Sequence, residues 1–146
     1  MNKIKVTFLG TNGWFSTSTG KTLCILLETA EYYIILDAGE GIEKLAVHIT
    51  DWSKPAYMFL SHFHLDHISG LHQLNNFKFK KGLTICGHIG AKAILRRLLN
   101  QPYSMNVKSL PFKVTLKDLP SGENAGFPFR LESRELEHTS KCLGFR

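Results

Sequence analysis

The stretch Ser61-His62-Phe63-His64-Leu65-Asp66-His67 places three histidines and one aspartate within six consecutive positions. The apolar run Tyr57-Met58-Phe59-Leu60 comes immediately before it, and a run of this length predicts a short buried strand. Apolar residues then recur at every third position through residues 68–77, which predicts a helix that begins near Asp66. The histidines and the aspartate are therefore expected on the turn between a strand and a helix.

The side chains of this turn predict a metal site, because neutral imidazole and carboxylate groups are common ligands of zinc and similar divalent ions. His62 and His64, two positions apart in an extended turn, can share one ion. Asp66 and His67 follow the bend and can face a second ion, and two ions roughly 3.5–4 Å apart commonly hydrolyse phosphate esters. Asp66 is also the predicted catalytic residue, since its carboxylate could hold or deprotonate the attacking water. The alternative is that these are ordinary packed or surface histidines, of which the chain has seven in all.

The composition is that of a globular protein, with 43% hydrophobic and 21% charged residues in 146, and the length predicts a single domain. No run approaches the ~20 apolar residues of a membrane span, and the N-terminus lacks a signal peptide, so we expect a cytoplasmic protein. The formal charge of +6 suits a polyanion such as RNA, and it equally suits any soluble basic protein. Three widely spaced cysteines predict reduced, buried thiols. One of them, Cys142, is an alternative soft metal ligand.

Alternating and apolar runs predict strands and helices in mixed order. The predicted strands cover residues 3–9, 23–27, 32–36, 57–60, 83–86, 114–119 and 129–136, and the predicted helices cover residues 42–49, 66–77 and 91–100. Residues 120–128, which include two glycines, are predicted to be a loop. This order favours an α/β or α+β fold with mixed sheets. Asp37, at the end of a predicted strand, is a candidate acceptor behind the metal ligands or part of a simple turn.

Four stretches of the sequence carry a resemblance to a known family. His62-Phe63-His64-Leu65-Asp66-His67 resembles the H-x-H-x-D-H signature of the metallo-β-lactamase superfamily. Residues 8–13 resemble its L-G-T-G-like loop, and Leu36-Asp37-Ala38-Gly39-Glu40-Gly41 resembles its D-x-G-E-G motif. Residues 136–146 resemble a further motif, in which a ligand histidine precedes a Gly-aromatic-Arg strand. The surroundings are most similar to the ribonuclease Z branch, the endonucleases that trim the 3′ end of precursor tRNA.

The resemblance implies a four-layer αββα sandwich with the site at one edge between two sheets. It implies that His138, which alone would be an ordinary strand-end histidine, completes the first ligand set with His62 and His64. It also implies that Asp37 supports the site without being a ligand. The implied cofactor is zinc, as two ions, although manganese or iron would also suit these ligands.

The resemblance extends over only the first half of the family's fold. We therefore expect one metallo-β-lactamase-like domain over residues 1–146, truncated at its C-terminal end. No residue matches the family's bridging aspartate or its last histidine, which leaves Asp66 and His67 alone at the second ion. Half a sandwich would also expose the inner face of its sheet, so we expect a homodimer or a complementary C-terminal half to cover it.

Three functions remain open from the sequence. The first is a metal-dependent phosphodiesterase or endoribonuclease that resembles ribonuclease Z and acts on a tRNA precursor through metal-activated water. The second is a hydrolase of the same fold that acts on a small ester, sulfate, lactone or cyclic nucleotide, because fold and metals do not fix the substrate. The third is an inactive metal-binding half-domain that needs a partner.

Overall fold

The computed structural model describes residues 3–146 of the chain. Met1 and Asn2, which begin the stretch considered above for a signal peptide, lie outside the described residues. The strands of the described part are β1 Lys5–Gly10, β2 Cys24–Glu28, β3 Tyr33–Leu36, β4 Ala56–Phe59, β5 Leu83–His88, β6 Val114–Leu119, β7 Gly122–Asn124, β8 Leu131–Leu136 and β9 Cys142–Phe145. Its α-helices are α1 Leu45–His48, α2 Leu65–Ile68 and α3 Ala91–Leu98, and its 3-10 helices are Glu40–Lys44, Ser69–Asn76 and Val107–Ser109.

Six strands form one mixed sheet in the order β1-β2-β3-β4-β5-β6. β1, β2 and β3 pair antiparallel, and β2 and β3 form the predicted hairpin, whereas β3 to β6 pair in parallel. The apolar sequences of β4 and β5 suit central strands that are buried on both faces. Leu36 at the end of β3 pairs with Phe59 at the end of β4. The segments that follow these two parallel strands therefore meet at one edge of the sheet.

Two different layers cover the faces of this sheet. One face packs against the helical segments through a core that includes Ile35, Met58 and Leu71. The other face packs against a second, antiparallel sheet of order β7-β8-β9, with Phe59 and Leu131 in the contact. The resulting order of helix, sheet and sheet confirms the predicted mixed α/β (α+β) class, and it corresponds to three layers of an αββα sandwich.

The helix predicted over residues 66–77 is mostly a 3-10 helix. Only Leu65–Ile68 is α-helical, and Ser69–Asn76 continues as a 3-10 helix. Its apolar residues recur every three positions, and a helix of three residues per turn places such residues on one face. All four are buried, namely Ile68, Leu71, Leu74 and Phe77. The prediction of a buried apolar face is confirmed. The spacing of three residues between its apolar side chains suits a 3-10 helix better than an α-helix.

The prediction that residues 120–128 are entirely loop is wrong, because Gly122–Asn124 forms β7. These residues pair antiparallel with β8, and Asn124 Nδ2 donates hydrogen bonds to Ser133 Oγ and to the carbonyl of Pro120. The segment has no apolar alternation of its own. Its strand conformation therefore comes from pairing with β8, which local sequence patterns do not show.

Part of the face that packs against the second sheet is open. Ile4, Val6 and Phe8 have 60%, 50% and 66% of their surface exposed. Val6 pairs with Leu27 of β2, and residues paired in this way share a face of the sheet. Leu27 lines an apolar cleft that continues to Phe145 of β9. The second sheet therefore covers the β4–β6 side of the large sheet and leaves the β1 side uncovered.

Cys24, Cys86 and Cys142 are free and buried, which confirms the predicted thiols. Within residues 3–146, no helix has the length and apolar character needed to cross a membrane.

Candidate metal centre

The ends of β3 and β4 bring Asp37 next to Ser61. Asp37 is buried and has a left-handed backbone with φ of 56°, which is uncommon for a residue other than glycine. Its Oδ1 accepts hydrogen bonds from the Ser61 N–H at 2.7 Å and from Ser61 Oγ at 3.0 Å. Asp37 therefore fixes the first residue of the turn that carries the histidines.

The same carboxylate also orients His67. Asp37 Oδ2 lies 2.9 Å from His67 Nδ1, so the imidazole donates its Nδ1–H to the carboxylate and leaves Nε2 free to act as a ligand. Burial by itself would lower the pKa of His67, but the hydrogen bond and charge of Asp37, with the charge of Asp66, raise it overall. Asp37 thus lies behind the site, where the sequence predicted an acceptor.

His62, His64 and His138 come together at the mouth of the turn. Each offers one ring nitrogen, and the three nitrogens lie within 4.8 Å of one another. The ring centroids are 4.6 Å apart for His62 and His64, 4.5 Å for His62 and His138, and 5.0 Å for His64 and His138. This is the one group of three metal-ligand side chains that the described part of the chain, residues 3–146, brings together.

His138 reaches this position from the loop between β8 and β9. The N–H of Leu143 donates a hydrogen bond to the carbonyl of Ser61 at 2.8 Å, which ties the start of β9 to the histidine turn. His138 is exposed, whereas His62 is buried with 6% of its surface accessible. Two sheets therefore each contribute to the histidine group, which lies at the edge between them.

The electrostatics of His62 suit a metal ligand. Burial, followed by the neighbouring imidazoles of His67, His138 and His64, lowers its pKa to about 4. The ring is neutral at pH 7, which is the form that binds metal ions. Three imidazoles with a position left for water match the ligand set of catalytic zinc sites. The residues present therefore fit one divalent ion.

Asp66 and His67 form a second, smaller set. Asp66 Oδ2 accepts a hydrogen bond from the N–H of Trp14 at 2.9 Å and lies 3.4 Å from His67 Nε2. Burial alone would raise the pKa of Asp66, but the Trp14 N–H and the nearby His67 lower it overall, so the carboxylate is ionised at neutral pH. Within residues 3–146, no third histidine, cysteine, aspartate or glutamate joins this pair to form a group of three.

Small residues let the surrounding segments approach the turn. A Cβ on Gly39 would lie 2.3 Å from the carbonyl oxygen of Asp66, and one on Gly70 would lie 2.3 Å from the carbonyl oxygen of Gly39. The N–H of Ala38 donates a hydrogen bond to the carbonyl of His67 at 2.7 Å across this contact. Glycine is thus required at both positions for the strand-end turn to contact the first helical turn.

The sequence did not identify two residues that shape the site. Ser61 donates a hydrogen bond to Asp37. A hydroxyl directly before the first histidine of the motif could have identified Ser61 from the sequence as a supporting residue. Trp14 lies 52 positions from Asp66 in a polar loop, and no local pattern indicates the contact.

A helix–sheet–sheet fold with histidines and an aspartate at the sheet edge defines a metallo-β-lactamase-type metal centre. The family model described as the metallo-beta-lactamase superfamily matches residues 18–140, and the chain belongs to this superfamily. Among curated proteins it is similar to ribonuclease Z of Clostridium tetani, with 29% identity over 98% of this chain and 50% of the relative. It is also similar to ribonuclease Z of Pyrococcus abyssi, with 30% identity over 97% of this chain and 47% of the relative. These matches confirm the resemblance to the ribonuclease Z branch, and the chain spans about half the length of the curated relatives it matches.

Solved structures share the fold. The short form of human tRNase Z superposes with a TM-score of 0.76 at 20% identity, over 99% of this chain and 62% of that chain. A diphosphatase of the PhnP family superposes with a TM-score of 0.74 at 12% identity, again over 99% of this chain and 62% of that chain. At these identities the likeness establishes the metallo-β-lactamase fold alone.

Proposed function

We propose that this chain carries the metal centre of a metal-dependent phosphodiesterase that resembles ribonuclease Z and acts as an endoribonuclease on the 3′ end of a tRNA precursor. The observation that carries the proposal is the group of His62, His64 and His138, with ring nitrogens within 4.8 Å, in a chain whose curated relatives are ribonucleases Z. The formal charge of +6 adds support, since a basic protein binds a polyanion through release of counterions.

Each site residue has a role in this proposal. His62, His64 and His138 would hold one zinc ion, and Asp66 and His67 would provide ligands for a second. Bound zinc supplies a Lewis acid and water that is activated near neutral pH. Asp66 would also act as the catalytic residue: the Trp14 N–H holds its carboxylate in place, and that carboxylate would accept a proton from the attacking water.

Asp37 acts in this scheme as a positioning residue. Its hydrogen bond to His67 Nδ1 keeps the ring in the tautomer whose Nε2 can bind an ion. Its bonds to Ser61 hold the start of the histidine turn against β3. Neither interaction requires the Asp37 side chain to touch substrate.

The second ion needs further ligands. Asp66 and His67 supply two, and a metal site of this type uses three or more protein groups. We therefore extend the proposal to a partner. The partner is either a second copy of the chain or a C-terminal half that complements the one domain predicted over residues 1–146. Elemental analysis of the zinc-loaded chain after gel filtration tests this. We expect one ion per chain in the monomer and two ions per chain in the larger assembly, and two tight ions on a monomer would contradict the proposal.

Cleavage of a precursor tRNA with a labelled 3′ trailer tests the function. We expect the zinc-loaded chain, with its partner where one is needed, to release the trailer, and His62→Ala to abolish release. His72→Ala is the matched control, because His72 is exposed and its Nδ1 contacts the Ser69 carbonyl of its own helix. Absence of cleavage at full zinc loading would contradict the proposal. Hydrolysis of small esters, sulfates, lactones or cyclic nucleotides alone would favour a different hydrolase on the same fold.

A further inference from the structure

The loop between β1 and β2 presents two exposed aromatic side chains beside the metal centre. Trp14 and Phe15 have 81% and 68% of their surface accessible. Trp14 also has a left-handed backbone with φ of 60°, a conformation that bulky residues rarely adopt. Such strain persists where the surrounding structure enforces it, and it is concentrated at functional sites.

Hydrogen bonds within the loop enforce its shape. Asn12 Nδ2 donates to the carbonyl of Phe15, to Thr17 Oγ1 and to the carbonyl of Gly20. The N–H of Thr17 donates to the carbonyl of Gly20 at 2.7 Å, and a Cβ on Gly20 would lie 2.4 Å from Asn12 Oδ1. The two aromatic residues therefore project from a defined loop conformation.

Trp14 contacts both parts of the metal centre. Its N–H donates to Asp66 Oδ2 at 2.9 Å. Its indole ring lies nearly parallel to the imidazole of His64, with 14° between the planes and 6.3 Å between the centroids. The main chain of Trp14 is thus held against the predicted catalytic carboxylate, and its indole lies beside a predicted ligand with most of its surface open to solvent.

We propose that Trp14 is a stacking platform for one nucleobase of a single-stranded nucleic acid, next to the phosphodiester that reaches the metal centre. This inference rests on the proposed phosphodiesterase function and names the feature of the substrate that the site recognises. A flat exposed indole suits a nucleobase because every base has a π-face, so stacking holds the strand without selecting its sequence. Since the hydrogen bond to Asp66 comes from the main chain, the side chain is free for this role.

Direct binding provides the test. A short single-stranded RNA with phosphorothioate linkages, which resist hydrolysis, is titrated against the zinc-loaded chain. The chain has two tryptophans, and Trp52 packs against Phe77 and Phe79, so in a Trp52→Phe background the emission reports Trp14 alone. We expect saturable quenching, and we expect an abasic nucleotide at the stacked position to raise Kd by about 5- to 100-fold.

Variants then assign the effect to the indole ring. With a fluorescently labelled RNA and an anisotropy readout, Trp14→Ala should weaken binding by about 5- to 100-fold. Trp14→Phe should retain most of the affinity, and both variants should keep the zinc content of the parent. Phe15→Ala is the matched control from the same loop and should change Kd by less than about twofold. Equal losses for Phe15→Ala and Trp14→Ala, or an unchanged Kd with the abasic RNA, would overturn the proposal.

The test separates this proposal from the proposed function. Base-dependent quenching without cleavage of precursor tRNA supports the platform and contradicts the endoribonuclease. If the rate of precursor cleavage is the same with Trp14→Ala and with an abasic nucleotide, the endoribonuclease function is supported and the stacking role of Trp14 is overturned. If Trp14→Ala fails to fold, the abasic comparison on the parent chain and the Trp14→Phe variant still decide the outcome.

Discussion

His62, His64 and His138 come from two segments of the chain, whereas Asp66 and His67 are neighbours on one turn. The three histidines bring enough ligand atoms together for an ion, and one of their rings, that of His62, has a hydrogen-bond partner in Ser61 Oγ at 3.0 Å. The Trp14 N–H donates a hydrogen bond to Asp66, and His67 donates one to Asp37, yet within the described part of the chain no third ligand joins this pair.

This difference separates two requirements of a metal site. Affinity for the ion needs a sufficient number of ligands, and orientation of those ligands needs hydrogen bonds behind them. In this chain the histidine group meets the first requirement, and the second is met at His62, Asp66 and His67, each of which has a hydrogen-bond partner. Substitutions that remove a ligand should therefore act most on the histidine group, and substitutions that remove a support should act most on the pair.

Removal of His62 should have the largest effect. His62→Ala leaves two imidazoles for the ion, and we expect zinc affinity to fall by more than about 100-fold, because loss of a supporting partner alone costs about 10- to 100-fold. Competition with a chromogenic chelator measures the affinity. His72→Ala, the exposed control, should bind zinc like the parent. Parent-like zinc affinity in His62→Ala would rule out the histidine group as the main site.

The pH response of the metal-free chain should distinguish His62 from His67. His62 should titrate near pH 4 because it is buried among other imidazoles. His67 should titrate above its ordinary value of 6.5, because Asp37 and Asp66 outweigh the effect of burial. As the pH falls, His67 therefore gains its proton first, and His62 stays in its ligand form.

The same pKa values act on stability in opposite directions. The unfolded chain binds a proton at His62 more readily than the folded chain, so this contribution to stability is lost between pH 6.5 and about 4. The raised pKa of His67 contributes stability that is present below pH 6.5 and is lost as the pH rises through the folded-state pKa. Imidazole NMR titrations, assigned by the signal missing from His62→Gln, measure both values. Overlapping titration curves for His62 and His67 would contradict the predicted difference between their pKa values.

Asp37→Asn should weaken the support of the pair most, because His67 loses a charged acceptor, while the histidine group keeps all three of its ligand side chains. An asparagine lacks the charge and would present an NH₂ group to a neighbouring donor. In the assembly that binds two ions per chain, we therefore expect zinc affinity at the pair to fall by about 10- to 100-fold. The free energy of unfolding should fall by about 1–3 kcal/mol, because the asparagine retains one acceptor oxygen and a part-buried donor on Ser61 or His67 loses its partner. Urea unfolding and zinc titration measure the two effects.

Asp51→Asn is the control for Asp37→Asn. Asp51 is exposed and precedes β4, whereas the metal centre follows the other end of that strand. Its carboxylate accepts hydrogen bonds from the N–H and the hydroxyl of Ser53. Asp51→Asn should leave the unfolding free energy and the zinc affinity close to those of the parent, because a solvent-exposed hydrogen bond contributes little to stability. If Asp51→Asn lowered stability and zinc affinity as much as Asp37→Asn, the role of Asp37 behind the site would be wrong.

The sequence predicted the parts of the site that depend on neighbouring residues. An apolar run followed by H-x-H-x-D-H is enough to predict the strand, the turn and the order of its histidines. The contact of Trp14 with Asp66 and the left-handed backbone of Asp37 depend on distant segments, and no local spacing encodes them. Likewise, β7 exists only through its pairing with β8, and a spacing of three residues is compatible with both α and 3-10 helices.

The smallest effect is expected at Cys142, which the sequence offered as a soft ligand near His138. The thiol is buried at the start of β9, and burial, with the nearby Asp37 charge, raises its pKa, so it is a poor source of the thiolate that binds metals. Cys142→Ser should therefore change zinc affinity by less than about twofold. In the cobalt-substituted chain, the absorption band of a thiolate–cobalt bond should be absent. Such a band, lost in Cys142→Ser, would instead add Cys142 to the histidine group and give this half of the centre a fourth protein ligand.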